Sequence, residues 1–280
     1  MTSPHQPTNL TLALERRGQG FPVLCLHGHP GSKQCMGMFT DFLAQDFLTI
    51  APDLRGYGHS QVRSAFAMAD HLEDLVESLD QEKISRCLIL GWSLGGILAL
   101  EMALRHPQRV SGLILIATAA FPRSDHPPIS WQDNLYTGLA GLINWVVPGW
   151  RWNIRTWGQR SLFRYLLGQQ TPAAYHYLAK AAVPAYLKTS RYAQQALNQA
   201  IQMGYNQENE LAKITVPCLV LAGALDRHII PAASKATAQG LSQSRWICYE
   251  NTAHLFPWEI PDRVQGDIEN WLEDYPDVCQ

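Results

Sequence analysis

The arrangement of apolar runs constrains the fold of this 280-residue chain more than any other feature of its sequence. Six short runs rich in Val, Ile and Leu alternate with stretches of helical pattern. An uninterrupted apolar run is typical of a strand that is buried on both faces. Such strands separated by helices form a doubly wound, mostly parallel sheet, so we expect an α/β fold. The runs are 21–28, 47–53, 86–92, 110–119, 216–224 and 244–250.

The segments between these runs predict the organisation of the chain. Helical patterns cover residues 67–79, 94–105, 231–241 and 261–274. The N-terminal segment 10–18 predicts an antiparallel hairpin at the edge of the sheet. From about residue 121 to 207 the alternation gives way to a helical segment rich in Trp and Tyr. We therefore predict an α/β core made of residues 1–120 and 206–280, with residues 121–205 inserted as a helical cap.

Charge separates the predicted cap from the predicted core. The whole chain has a net charge of −2 and shows no basic excess of the kind that follows a phosphate backbone, so we expect no nucleic-acid partner. The cap residues alone hold eight Lys and Arg against two acids, a net charge of +6. They also contain an apolar stretch at 139–152, which is too interrupted to span a membrane. Peripheral contact of the cap with an anionic membrane surface is therefore one hypothesis, and selection of an anionic substrate is another.

The six cysteines lie apart without C-x-x-C spacing, and four of them fall in apolar runs. This usage predicts reduced thiols, and it gives no reason to expect a disulfide framework or a zinc site. The N-terminus is polar and lacks the apolar run of a signal peptide. We expect a cytoplasmic protein that uses neither a metal nor a cofactor.

A short motif at residues 91–95, Gly-Trp-Ser-Leu-Gly, predicts the chemistry. This G-x-S-x-G pattern stands between the run 86–92 and a helix that begins near Leu94, which is the strand-turn-helix context of an exposed nucleophile. Gly91 and Gly95 permit a tight turn that places the serine at the carboxyl edge of the sheet. Alone, the motif also fits a glycine-rich helix start. Its context makes Ser93 the candidate nucleophile.

Four further stretches, together with this motif, resemble the α/β-hydrolase superfamily. They follow the family's order, and the resemblance extends from about Leu24 to Leu272. Within the superfamily, the sequence resembles the capped branch, which includes esterases, prolyl aminopeptidases and carbon-carbon hydrolases. The resemblance implies the same fold with an inserted cap. The stretches are HGHPG at 27–31, DLRGYGHS at 53–60, GALDRHIIP at 223–231 and NTAHLFPWEIPDRV at 251–264.

The resemblance implies a catalytic triad of Ser93, Asp226 and His254 in the Ser, Asp, His order of this fold. His254 is the expected general base, and Asp226 is expected to orient its ring and stabilise the imidazolium. The run before the cap ends without an acid, which removes the family's alternative acid position. His228 is the nearest competitor for the base, but it stands only two residues after Asp226 and is tightly tethered.

Two backbone N–H groups, those of His29 and Leu94, are the expected oxyanion hole. Leu94 lies at a helix N-terminus, where the helix dipole favours negative charge. The His29 side chain either enters the substrate pocket or covers the loop, and the sequence leaves both open. By its position in the family, His27 is expected to anchor the loop.

Asp53, Arg55 and His59 look catalytic in isolation, and Asp53 resembles a metal ligand. We instead expect them to form salt bridges and hydrogen bonds that stabilise a loop.

A serine nucleophile restricts the reaction. Relatives that attack alkyl carbon use a carboxylate, because a serine would form a stable ether there. Ser93 therefore predicts acyl transfer to water from a small-molecule substrate. We expect a carboxylic ester with a hydrophobic or aromatic group. Carbon-carbon hydrolase, aminopeptidase and perhydrolase activities use the same triad, and a receptor-like protein with little turnover is the alternative of another class.

Overall fold

The computed structural model describes residues 10–279 and arranges seven strands in one sheet. The strands are β1 (Leu14–Arg17), β2 (Pro22–Leu26), β3 (Leu48–Pro52), β4 (Cys87–Trp92), β5 (Val110–Ile116), β6 (Cys218–Gly223) and β7 (Ser244–Tyr249). Their order across the sheet is β1-β3-β2-β4-β5-β6-β7, and every pair except β1–β3 is parallel. Each of the six apolar runs contains one strand, which confirms the α/β prediction.

Helices cover both faces of the sheet, so the central strands β4, β5 and β6 bury every residue. The helices are α1 (Gly37–Leu43), α2 (Asp70–Gln81), α3 (Leu94–Arg105), α4 (Trp131–Val146), α5 (Arg151–Thr156), α6 (Phe163–Leu166), α7 (Pro172–Tyr177), α8 (Val183–Leu187), α9 (Arg191–Gln202), α10 (Pro231–Gly240), α11 (Phe256–Glu259) and α12 (Pro261–Asp274). Short 3₁₀ helices lie at Lys33–Met36, Pro107–Arg109, Gly158–Arg160, Glu208–Lys213 and Pro276–Cys279, and a π-helical turn at Leu178–Ala182.

Two predicted helices have the expected bounds. Helix α3 runs from Leu94 to Arg105 and ends before His106, because the residue that precedes a proline avoids the helical conformation. Helix α12 starts on Pro261, whose fixed φ angle suits the first helical position. Helix α2 begins at Asp70, three residues later than its predicted start.

The N-terminal strand lies at the sheet edge as expected, but the predicted hairpin is wrong. Strand β1 pairs antiparallel with β3, with Leu14 opposite Pro52. It cannot pair with β2, its neighbour in the chain, because β2 is hydrogen-bonded to β3 on one side and to β4 on the other. The edge strand is therefore placed by a partner more than thirty residues away.

Helices α4 to α9 occupy the long connection between β5 and β6, residues 117–217, which we call the β5–β6 segment. Backbone hydrogen bonds fasten it to the rest of the molecule, among them Ser190 N–H to Gly56 O, Ile230 N–H to Arg123 O and Leu255 N–H to Leu166 O, each 2.9 Å long. Within residues 10–279 no helix is both long and apolar enough to cross a bilayer.

Candidate active site

Ser93 stands between strand β4 and helix α3 in a strained backbone conformation. Its φ of 53° and ψ of −114° lie in a region that residues with a side chain rarely adopt. Three backbone hydrogen bonds hold it there: Ser93 N–H donates to Ile116 O at 2.8 Å, and Ser93 O accepts from Gly96 N–H at 3.0 Å and from Ile97 N–H at 3.2 Å. The sheet and the helix together fix the serine at the carboxyl edge of β4.

Glycines make this turn possible because the backbone packs without room for side chains. A Cβ on Gly91 would lie 2.4 Å from the carbonyl oxygen of Gly95. One on Gly95 would lie 2.1 Å from the carbonyl oxygen of Leu26 in β2. Both contacts are with backbone atoms that cannot rotate away, so the motif needs glycine at each position.

The structure brings the three predicted triad side chains into one hydrogen-bonded chain. His254 Nε2 lies 3.1 Å from Ser93 Oγ, and His254 Nδ1 lies 2.7 Å from Asp226 Oδ2. With Nδ1–H donating to the carboxylate, Nε2 is free to accept the serine proton. Both Asp226 and His254 are buried, which strengthens their interaction by excluding water.

The His228 ring lies near this hydrogen-bonded chain but is not part of it. Its backbone N–H and that of Ile229 donate to Asp226 Oδ1 at 2.8 and 3.0 Å, so this turn anchors the acid. The His228 ring is 5.2 Å from that of His254. Burial lowers the pKa of His228 to about 3 and keeps it neutral, and its Nε2 is buried with no hydrogen-bond partner among residues 10–279.

The loop after β2 runs alongside the serine. A Cβ on Gly28 would lie 3.0 Å from Ser93 Cβ and 2.9 Å from the Trp92 ring. The His29 side chain points away to the β5–β6 segment, since its Nε2–H donates to Gln194 Oε1 of α9 at 2.8 Å. Its Nδ1 accepts from Tyr57 O–H at 2.7 Å, and burial lowers its pKa, so the ring stays neutral. These two hydrogen bonds join the loop after β2 to the loop after β3 and to α9.

A family model for the α/β-hydrolase fold matches residues 22–261, which is most of the chain and includes every residue of the site. This chain belongs to the α/β-hydrolase family. The resemblance found in the sequence is thereby confirmed, and so is the prediction of a hydrolase.

Named relatives agree with this assignment. The α/β-hydrolase is 27% identical to the pimeloyl-[acyl-carrier protein] methyl ester esterase of Vibrio atlanticus, over 87% of this chain and 91% of the relative. It is 30% identical to the enzyme of the same name from Pectobacterium carotovorum, over 85% and 87%. Among solved structures, a thermophilic esterase from Thermogutta terrifontis is 26% identical and superposes with a TM-score of 0.71, covering 96% of this chain and 94% of that one.

His27 anchors the loop of this hydrolase, as expected. Its Nδ1–H donates to Gly28 O at 2.8 Å, and its Nε2 accepts from Leu54 N–H at 3.1 Å. Burial lowers the pKa of His27 to about 4, so the ring remains neutral and satisfies one donor and one acceptor.

The expected loop salt bridges are also present. Asp53 accepts from Lys33 N–H at 2.8 Å, from Lys33 Nζ at 3.0 Å and from His59 N–H at 2.9 Å. Burial alone would raise the pKa of Asp53, but these donors outweigh it and hold the pKa below its usual value. Arg55 Nε donates to Asp74 at 2.7 Å in a second buried pair. These residues hold the loop after β3.

Glu259 is a buried residue to which the sequence analysis gave no role. Its carboxylate accepts from Ala253 N–H at 3.0 Å, beside His254, and from Gly168 N–H at 3.2 Å in the β5–β6 segment. Gln169 N–H donates to its other oxygen. Burial raises the pKa of Glu259, and the three N–H donors oppose that rise. A lone acid inside the apolar stretch LFPWEI was the available signal for this contact.

An aromatic cluster also connects the site to the β5–β6 segment. The Trp92 ring lies 5.8 Å from that of His254 and 4.9 Å from that of Trp258. Trp258 in turn stacks on Tyr177 at 3.9 Å with an interplanar angle of 14°. The indole N–H of Trp92 is buried and has no acceptor among the described residues.

Proposed function

We propose that this α/β-hydrolase cleaves a carboxylic ester through an acyl-enzyme formed on Ser93. One observation carries the proposal: the hydrogen-bonded chain from Asp226 through His254 to the Ser93 hydroxyl. A serine becomes nucleophilic when an oriented base accepts its proton, and this chain supplies both the base and its orientation.

In the proposed mechanism, Ser93 Oγ attacks the ester carbonyl carbon while its proton passes to His254 Nε2. The Asp226 carboxylate stabilises the imidazolium. The backbone N–H groups of His29 and Leu94 are the proposed donors to the oxyanion. The imidazolium then protonates the leaving alkoxide, and a water molecule activated by the same histidine releases the acid.

We propose an acyl or alkyl group of hydrophobic or aromatic character, with residues 121–205 acting as the cap that admits it. The cluster of Trp92, Trp258 and Tyr177 beside His254 favours such a group, because it makes the surroundings of that histidine apolar. The methyl ester esterases among the relatives favour an ester over an amide or a carbon-carbon bond.

We also propose that the protein acts in a reducing compartment such as the cytoplasm. All six cysteines are free thiols, and Cys25, Cys35, Cys87 and Cys218 are buried. Structural disulfides are typical of oxidising compartments, and free buried thiols suit a reducing one.

A substrate screen tests the proposed reaction. The wild type is assayed on p-nitrophenyl esters of increasing acyl length, on aryl thioesters and on amino-acid amides. Ser93→Ala is the test variant, and Ser111→Ala is the matched control, since Ser111 is a buried serine in β5 outside the site.

The proposal predicts steady turnover that is fastest on esters, abolished in Ser93→Ala and unchanged in Ser111→Ala. Faster cleavage of amino-acid amides than of esters would show an aminopeptidase instead. One burst of p-nitrophenol without further turnover would show a receptor-like protein.

A further inference from the structure

Helix α4 turns its apolar side to solvent. Its exposed large side chains are Trp131, Leu135, Leu142, Trp145 and Val146, which we call the α4 stripe. At about 100° per residue they fall within roughly a third of the helix circumference, so they form one continuous face. Trp131 is 73% exposed and Trp145 is 65% exposed. A helix that only packs on a protein core has the opposite arrangement.

The buried side of α4 is small or polar, and it is held by specific hydrogen bonds. It consists of Asp133, Ala140 and Asn144. Asp133 forms a capping box with Ser130 and an ion pair with Arg164. Asn144 Nδ2–H donates to Tyr175 O at 2.7 Å, and Asn144 Oδ1 accepts from Gly149 N–H at 2.9 Å. Rotating the stripe inward would break the ion pair of Asp133 with Arg164 and the bond from Asn144 to Tyr175 O, so the exposure of the stripe is a fixed feature of the segment.

The apolar surface continues past the end of α4. Val147, Trp150 and Trp152 are each about half exposed, and the two indole rings lie 4.9 Å apart. Exposed apolar groups that follow one another this closely mark an interaction surface more often than scattered single residues do.

The charges around this surface are basic. Arg151, Arg155 and Arg160 are exposed, and no ion pair among residues 10–279 includes any of them. The single acid between residues 131 and 160 is Asp133, which is buried and paired with Arg164. A partner for this face therefore has an apolar interior and negative charge at its surface.

We propose that the α4 stripe and its arginines dock reversibly on a membrane surface that contains anionic phospholipid. Tryptophan rings prefer the boundary between headgroups and acyl chains, and arginines beside them attract anionic headgroups. A second copy of the chain is a poorer occupant, because a symmetric contact would bring the same arginines face to face. Docking of this kind does not depend on the proposed reaction at Ser93.

Vesicle co-sedimentation tests the proposal with full-length protein. Vesicles of phosphatidylcholine alone are compared with vesicles that also contain phosphatidylglycerol. The test variants are Trp131→Ser with Trp145→Ser, and Arg151→Gln with Arg155→Gln. Leu187→Ser with Met203→Ser is the matched apolar control. These side chains are 76% and 78% exposed and lie at the C-terminal ends of α8 and α9. Lys83→Gln with Arg86→Gln is the matched charge control.

We expect sedimentation that requires phosphatidylglycerol and weakens with salt. The tryptophan pair should lower the vesicle partition coefficient about tenfold or more. The arginine pair should lower it on anionic vesicles only, and neither control should change it. Unaltered thermal unfolding midpoints would show that the exposed substitutions leave the fold intact.

Three results would overturn the proposal. The first is sedimentation that does not differ between the two vesicle compositions. The second is a loss in the controls as large as that in the test variants. The third is a wild-type dimer in gel filtration that the tryptophan pair converts to a monomer, since the stripe would then be an interface between two copies.

Discussion

Helices α3 and α4 differ in what fixes their position. Helix α3 buries every residue from Leu94 to Ala103, and its N-terminus supports Ser93. Helix α4 exposes Trp131, Trp145 and two of its leucines and is held by buried polar groups on its other side. The first helix is therefore specified on all sides by the core and the site. The position of the second helix is fixed by contacts on its buried side only. Its apolar side is exposed and can contact another surface.

The largest expected difference between the active site and α4 is the effect of a substitution on kcat. Asp226→Asn should lower kcat about 10⁴-fold, because an amide neither holds the required histidine tautomer nor stabilises the imidazolium. Trp145→Ser should leave kcat on a soluble short-chain ester within about twofold of the wild type, as expected of an exposed substitution away from the reacting atoms. Steady-state kinetics measures both. An equal loss in the two variants would show that α4 is not separate from the active site that α3 supports.

The next effect compares one glycine from each helix. Gly95→Ala should lower the free energy of unfolding by about 3 kcal/mol, because its Cβ would lie 2.1 Å from the backbone oxygen of Leu26. Gly138→Ala in α4 should raise it by about 0.5–1 kcal/mol, since no atom lies within 4 Å of the added Cβ and alanine favours the helix. Chemical denaturation measures both changes. A destabilisation by Gly138→Ala would show that α4 is packed more tightly than described.

The smallest effect concerns the contact that joins the loop of His254 to the β5–β6 segment. Glu259→Gln should lower the free energy of unfolding by about 1–3 kcal/mol, because its amide presents N–H groups to backbone donors that need an acceptor. The donors belong to Ala253 on one side and to Gly168 and Gln169 on the other. The exposed Glu269→Gln in α12 is the control. If the two variants unfold alike, Glu259 does not fasten the β5–β6 segment to the histidine loop.

The sequence predicted most of the sheet because its strands carry their own signal. Strands β4, β5 and β6 are covered on both faces, so they appear as unbroken apolar runs. The hairpin was wrong because pairing at the sheet edge depends on a distant strand. The sequence of β1 indicates a half-exposed strand, but it does not indicate which strand pairs with it. Only the assembled sheet shows that its neighbour is β3.

The site shows the same division between local and distant information. The residues around Ser93, Asp226 and His254 each follow a strand end, and so the sequence could single them out. The hydrogen bond from His29 to Gln194 and those to Glu259 from the β5–β6 segment join residues far apart in the chain. For α4, the periodicity of the sequence defines an apolar face but not the direction in which it points. That direction comes from the partners of Asp133 and Asn144.

Covalent labelling tests whether Ser93 is a nucleophile that His254 activates. The wild type and His254→Ala are treated with a fluorophosphonate, and the adducts are followed by intact mass and mapped by peptide sequencing. We expect one adduct per wild-type chain, located on Ser93 and formed far more slowly in His254→Ala. Labelling at another residue, or at the same rate without His254, would contradict this expectation.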